Sequence, residues 1–339
     1  MGKSVLPRRV LAATAATGMA AALAWLPAGP ASAAVAATYG VVGQASTSGS
    51  CTLTSSPGSD SPTSGISHFS SGTKKHSVNL DASFANTGDA TDTVNMVGHY
   101  TSSMNIVRKG GNLASMTMKG SGNVSIDASK GSATACVPEA LVAAETQPFQ
   151  FTETSPGWLY VSRHTVSKSG LAATVVQDAD GNAVLLDIVQ GNASNGLARG
   201  FTKPGAFSSL VLVGLAAGNV PPIIGKAAQQ SSVVLTFHKA GSALAGTKGA
   251  GKKFVEFPSS VSCGSKKATL RWTSSAGKVA SGAFFVNGNK KASDSTPRGG
   301  DKIVLSHLSP KADIKITAQL KLKAGGSATA SRSYVPCKG

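Results

Sequence analysis

The stretch Asp313-Ile314-Lys315-Ile316-Thr317-Ala318-Gln319-Leu320-Lys321-Leu322-Lys323 alternates apolar and polar residues without a break. Successive side chains leave a strand on opposite faces, so this period of two predicts a strand. Ile314, Ile316, Ala318, Leu320 and Leu322 then face a core, and Lys315, Lys321 and Lys323 face water. Residues 267–273 repeat the pattern, with Ala268, Leu270 and Trp272 inward and Lys267 and Arg271 outward. The basic residues are therefore expected on the solvent faces of core strands, not in a disordered tail.

Charge is segregated along the chain in the same way. Residues 239–339 carry eighteen Lys and Arg against four Asp and Glu, whereas residues 34–238 balance at eleven against eleven. Such asymmetry points to one basic module and to an anionic polymer as its partner. Lys267, Arg271, Lys315, Lys321, Lys323 and Arg332 are the candidate polyanion-binding residues. A purely solubilising role for the charge is the competing reading.

Further strands of this module are expected at residues 254–257, 282–286, 290–292, 302–305 and 328–335. Asn287-Gly288 is a two-residue hairpin signal, and Ala324-Gly325-Gly326 closes the last hairpin. Seven short strands, Trp272 on an early one, and Leu305-x-x-Leu308-x-Pro310 before the penultimate one resemble an immunoglobulin-like or fibronectin-type-III-like β-sandwich. The resemblance covers residues 254–339 only and implies a fold but no function. It also implies that the strands carrying Lys267 and Lys315 lie in different sheets, so that both outer faces are basic. Whether Arg332 joins the Lys face depends on the register of the last hairpin and stays open. Cys263 precedes the Trp272 strand and Cys337 ends the module, which departs from a disulfide between two central strands.

At the other end, Lys3, Arg8 and Arg9 precede an Ala- and Leu-rich run at residues 10–26 and then Ala31-Ser32-Ala33-Ala34. A charged start, an apolar middle and small residues before a cut form a secretory signal peptide with cleavage after Ala33. The general secretory route is preferred to twin-arginine export, because the flanks of Arg8-Arg9 are poor. No transmembrane segment is expected after its removal. Four cysteines in an exported chain suggest two disulfides. Pairing within each charge region gives Cys51 with Cys136 and Cys263 with Cys337.

Residues 34–77 are rich in Ser, Thr, Gly and Pro and read as a loop-like or partly extended segment tethered by Cys51. Regular structure is expected from Val78, as an antiparallel meander over residues 93–107, 113–118 and 124–126. Lys109-Gly110-Gly111 and Gly120-Ser121-Gly122 supply its turns. Residues 138–145 read as a two-turn helix with Pro138 in its first turn. Strands follow at 149–152, 158–163, 173–177 and 183–189, and residues 208–217 are either strand or short helix. Residues 233–238 read as a closing strand. Residues 240–253, Gly- and Lys-rich, read as the linker between domains 78–239 and 254–339. The fold class is thus all-β with one or two short helices: an N-terminal meander domain and a C-terminal immunoglobulin-like β-sandwich.

No catalytic motif stands out. Ser71-Gly72-Thr73-Lys74 is one of the Ser-x-x-Lys matches that abundant Ser and Lys produce by chance, and its companion motifs are missing. The six histidines are scattered singly. Asp178-Ala179-Asp180-Gly181-Asn182 resembles a calcium loop but is flanked by strand residues, so a hairpin turn is preferred. Trp158-Leu159-Tyr160 reads as core before it reads as a carbohydrate platform. No cofactor, no metal and no specific nucleic-acid motif is expected. The expectation is a secreted, non-enzymatic binding protein, with non-covalent cell-wall association. The alternatives are a carrier whose meander curves over an apolar ligand, and a hydrolase whose site is not visible in sequence.

Overall fold

A computed structural model of the chain describes residues 36–59, 67–110, 112–166, 170–190, 196–218 and 225–338. The expected signal peptide and its cleavage site lie outside the described residues. The described chain is built from β-strands in four sheets; its helical turns are short 3-10 segments at Gly131–Ala133, Ala250–Lys253 and Ser274–Lys278. Contacts divide the chain into two units. The first holds residues 1–153, 161–198 and 205–236; the second holds 154–160, 199–204 and 237–339.

In the first unit the passes expected at 113–118 and 124–126 are one strand, and the meander is formed by β4 (Gly72–Asn86), β5 (Asp89–Lys109) and β6 (Asn112–Ala128). They belong to a seven-stranded sheet that continues on one side to β2 (Cys51–Ser59). On the other side it continues through β13 (Gly225–Lys239) and β8 (Gly157–Thr165) to β11 (Gly196–Thr202). A six-stranded sheet orders β10 (Ala183–Gln190), β9 (Gly170–Asp178), β12 (Gly205–Gly218), β7 (Val137–Glu153), β1 (Ala36–Ser48) and β3 (Ser67–Phe69). The two sheets share a core: the buried Tyr100 hydroxyl on β5 donates to the Val213 carbonyl on β12 at 3.0 Å. Alternate residues supply that core, as with Val94, Met96, Tyr100, Met104 and Ile106 along β5.

Two expectations are corrected here, and two left open are resolved as strand. Residues 138–145 are not a helix: they lie within β7, whose backbone pairs with β1 on one side and β12 on the other. Pro138 fits this strand because it sits opposite Thr47 at one end, while β12 pairing begins only at Glu139. Residues 208–217 are strand. Of the two readings of residues 34–77, the described part takes the extended one, since Ala37, Tyr39, Val41 and Ala45 alternate into the core from β1. Finally, Gly120-Ser121-Gly122 makes no turn: β6 runs straight through it, paired with β5 and β13. A Cβ on Gly120 would overlap the Tyr100 hydroxyl, so glycine is needed there to admit that ring.

Glu153 ends β7 on the inward face that also holds Phe149 and Phe151, and it is fully buried. It lies near the backbone amide of Leu113, with neither oxygen in a full hydrogen bond. Burial pushes its carboxyl up from 4.5 to about 8. With its pKa raised, this group contributes stability that is fully present below the unfolded pKa and is lost as pH rises through about 8. Urea titrations between pH 5 and pH 9 should therefore show stability falling by roughly 4 kcal/mol from this group. Glu153→Gln should flatten that part of the profile; an unchanged profile would place the titration elsewhere.

The second unit contains the expected seven strands. β14 (Val255–Glu256), β15 (Ala268–Trp272) and β18 (Lys302–Leu305) form one sheet in that order. The other orders β17 (Asn289–Asp294), β16 (Val279–Val286), β19 (Ile314–Leu322) and β20 (Ser327–Tyr334). Leu270, Trp272, Phe284, Ile316, Leu320 and Tyr334 are buried in one core between the sheets. Trp272 stands edge-on to Phe284 at 5.6 Å, and its indole N–H donates to the Asp294 carboxylate at 2.8 Å. Gly282 makes room for this ring, because a Cβ there would come within 2.8 Å of the indole. Asn287 and Gly288 both take positive φ, as a tight hairpin requires. Residues 240–253, expected as a linker, instead hydrogen-bond along this sandwich: Lys248 exchanges two backbone bonds with Ser331, and Leu244 donates to Ser333.

Both expected disulfides are present, Cys51–Cys136 and Cys263–Cys337. The first joins the start of β2 to the residue before β7 and so ties the two sheets of the first unit. Asp92 is buried beside it and accepts from the Thr134 hydroxyl and the Ala135 amide, which hold its carboxyl below the usual range.

Candidate functional site

The candidate basic residues divide between the two sheets of the second unit. On the four-stranded sheet Lys315 and Lys321 are exposed on the outward face of β19, where strand alternation puts them. About six residues separate them, which is roughly 20 Å along the strand. Lys290 on β17 stands level with Phe285 and Thr317 between them. Lys321 faces Ser281 on one side and Ser327 on the other, and Lys315 faces Ser333. Lys323 lies just past β19, where its amide donates to the carbonyl of Lys278, so Lys278 and Lys323 meet at that end.

Among the strand residues of this sheet the one acid is Asp294, which is turned toward Trp272. Asp313, immediately before β19, is held by Arg199 at 2.6 Å. The same guanidinium reaches the Tyr160 hydroxyl and lies 4.9 Å over the Trp158 ring. Trp158 is buried, as expected of a core residue, and its indole donates to the Pro336 carbonyl at 2.8 Å. Two of the four acids of residues 239–339 are thus already engaged.

The three-stranded sheet differs. In its register Arg271 stands opposite Glu256 on β14 and opposite the like-charged Lys302 on β18. Lys267 is exposed just before β15. Arg332 belongs with neither face: it stands opposite the inward Ile316, is half-buried, and donates to the Ala245 and Phe257 carbonyls at 3.1 and 3.2 Å. Its guanidinium is thereby committed to the backbone of this unit. Lys290 and Lys302, which the strand pattern had not singled out, are also exposed; their short strands show too few alternations to orient them from sequence.

The Asp178–Asn182 segment is the expected hairpin turn. One Asp178 carboxylate oxygen accepts from the amides of Asp180 and Asn182 at 3.1 and 2.8 Å, so the acid serves its own turn. Among the described residues no group of three or more His, Cys, Asp and Glu is placed to hold a metal.

No family model matches this chain, and no curated protein matches it. Among solved structures it is similar at 10% identity to the adhesin domain of Epf from Streptococcus pyogenes, over 80% of this chain and 93% of that one, with a TM-score of 0.21. The central fibronectin-III array of RIM-binding protein is 11% identical over 72% and 92%, with a TM-score of 0.18. A structure of infectious bursal disease virus, Gt strain, is 9% identical over 89% and 80%, with a TM-score of 0.20. Likenesses of this size carry no inference about fold or function.

Proposed function

We propose that this protein is exported and acts without catalysis, its basic C-terminal sandwich holding it to an anionic extracellular polymer such as a cell-wall polymer or an acidic glycan. The observation that carries this reading is the outward face of β16, β17, β19 and β20. It displays Lys290, Lys315 and Lys321 among Ser, Thr and Gln, with half-buried Phe285 and Ala283 between the strands and its nearest acids turned inward or ion-paired. Charges spread in this way suit a flexible polyanion: each contact is weak, many act together, and salt screens them over a Debye length of about 8 Å. Cleavage after Ala33 and two disulfides fit an oxidising compartment outside the cell. The carrier alternative, a meander with a helical segment curved over an apolar ligand, lacks that helical segment, because residues 138–145 are strand.

The mature chain should bind a heparin-like resin at low salt and leave it at moderate salt. Lys315→Glu with Lys321→Glu should elute at markedly lower salt while melting at an unchanged temperature. Identical elution of variant and parent would reduce the charge to a solubility feature. N-terminal sequencing of secreted material should start at Ala34; an intact Arg8-Arg9 would overturn the export reading.

A further inference from the structure

The outward face of the seven-stranded sheet holds an open groove of about 900 Å³. Its register builds two adjacent rows across the strands. One row runs Lys75, Ser103, Lys119 and Ser232 over β4, β5, β6 and β13. The next, two residues along and so about 7 Å away, runs Ser77, Thr101, Ser121 and Gln230. His164 on β8 lines the same groove. These side chains are exposed or half-buried, and the Thr101 and Ser121 hydroxyls meet at 3.2 Å.

The lining is chemically narrow. It contains two Lys, two His, Ser, Thr, Gln and one Gly, with no carboxylate, no aliphatic side chain and no Phe, Tyr or Trp. That composition argues against a lipid, which needs apolar walls, and against nucleobases, which need aromatic faces to stack on. Two ammonium groups flanking Ser103, their backbones about 10 Å apart, can close on one anionic group as paired point charges. The parallel row of hydroxyls and an amide offers donors and acceptors at the spacing of a sugar ring's substituents. This concentration of uncompensated charge stands out in a region whose sequence is otherwise charge-balanced.

We propose that this groove binds a phosphorylated sugar or polyol, with Lys75 and Lys119 on the phosphate and the Ser77–Thr101–Ser121–Gln230 row on the hydroxyls. The site rests on residues other than those of the basic sandwich and goes beyond the polymer attachment proposed above. Glucose 6-phosphate, inorganic phosphate and glucose are the probes, each titrated into the full mature chain at low ionic strength by calorimetry and by amide chemical shifts. Glucose 6-phosphate should bind saturably, with shifts centred on residues 75, 103, 119 and 232. Inorganic phosphate should bind at least about tenfold more weakly, as expected when hydroxyl contacts worth about 1.4 kcal/mol are lost. Lys75→Ala with Lys119→Ala should weaken glucose 6-phosphate at least tenfold. Thr101→Val with Ser121→Ala should weaken it while leaving phosphate unchanged. Lys315→Glu with Lys321→Glu should leave it intact, which separates this site from the polymer reading. Absence of saturable binding, shifts centred elsewhere, or equal affinity for phosphate and glucose 6-phosphate would each overturn the proposal.

Discussion

Trp272→Ala should destabilise the second unit by about 3–5 kcal/mol, enough to unfold much of it at physiological temperature. The ring is 1% exposed, packs on Phe284 and fills the space left by Gly282, so its removal opens a cavity that the sheet backbones cannot close. It would also strip Asp294 of the indole N–H that it accepts. Trp272→Phe retains most of the apolar volume and loses the hydrogen bond, and should cost about 1–2 kcal/mol. Hydrogen exchange of the β16 and β19 amides reports both effects. A Trp272→Ala protein whose protection is within a few-fold of the parent would show that this ring is not the centre of the core.

Replacing Cys51 and Cys136 together by Ser should cost the first unit about 2–4 kcal/mol. The bridge closes a loop between residues 85 apart, for which unfolded-chain entropy alone sets a value near 4–5 kcal/mol. The measured cost should fall below that, because residual structure in the unfolded chain already restricts the loop. The loss should appear as faster exchange of β5 and β6 amides, with those of β19 unaffected. Equal loss in both regions would mean that the two units unfold as one.

How far the sequence could be read differed sharply between the two ends. Strand β19 was legible residue by residue, because one side of its sheet faces water and every second residue announces the fact. Strand β7 was not. It is central in its sheet, with a partner on each side, and a run such as Leu141-Val142-Ala143-Ala144 after Pro138 satisfies helix rules equally well. Strand β1 hid differently: Ala37 and Ala45 stand inward around Tyr39 and Val41, while Thr38, Gly40, Val42 and Gln44 alternate with them, so small inward residues and an apolar Val42 blur the pattern. Gly120 and Gly122 read in sequence as a turn, whereas in the fold they make room for the Tyr100 ring. The groove of the first unit was invisible for a further reason. No two of its rows are contiguous in sequence, and only the pairing register of β4, β5, β6 and β13 brings Lys75 and Lys119 to either side of Ser103.

The hydrogen bonds made by residues 240–253 bear on how this molecule could be inherited or re-used. A gene fragment starting at residue 254 would leave behind the backbone partners of Ser331 and Ser333, opening β20 as a bare edge. It would also leave behind Trp158 and Arg199, abandoning the Pro336 carbonyl and restoring the charge of Asp313. The basic sandwich is therefore not a cassette that recombination could cut out and splice onto another protein at its apparent sequence boundary. Any relative that carries it should carry counterparts of the 154–160 and 199–204 segments as well.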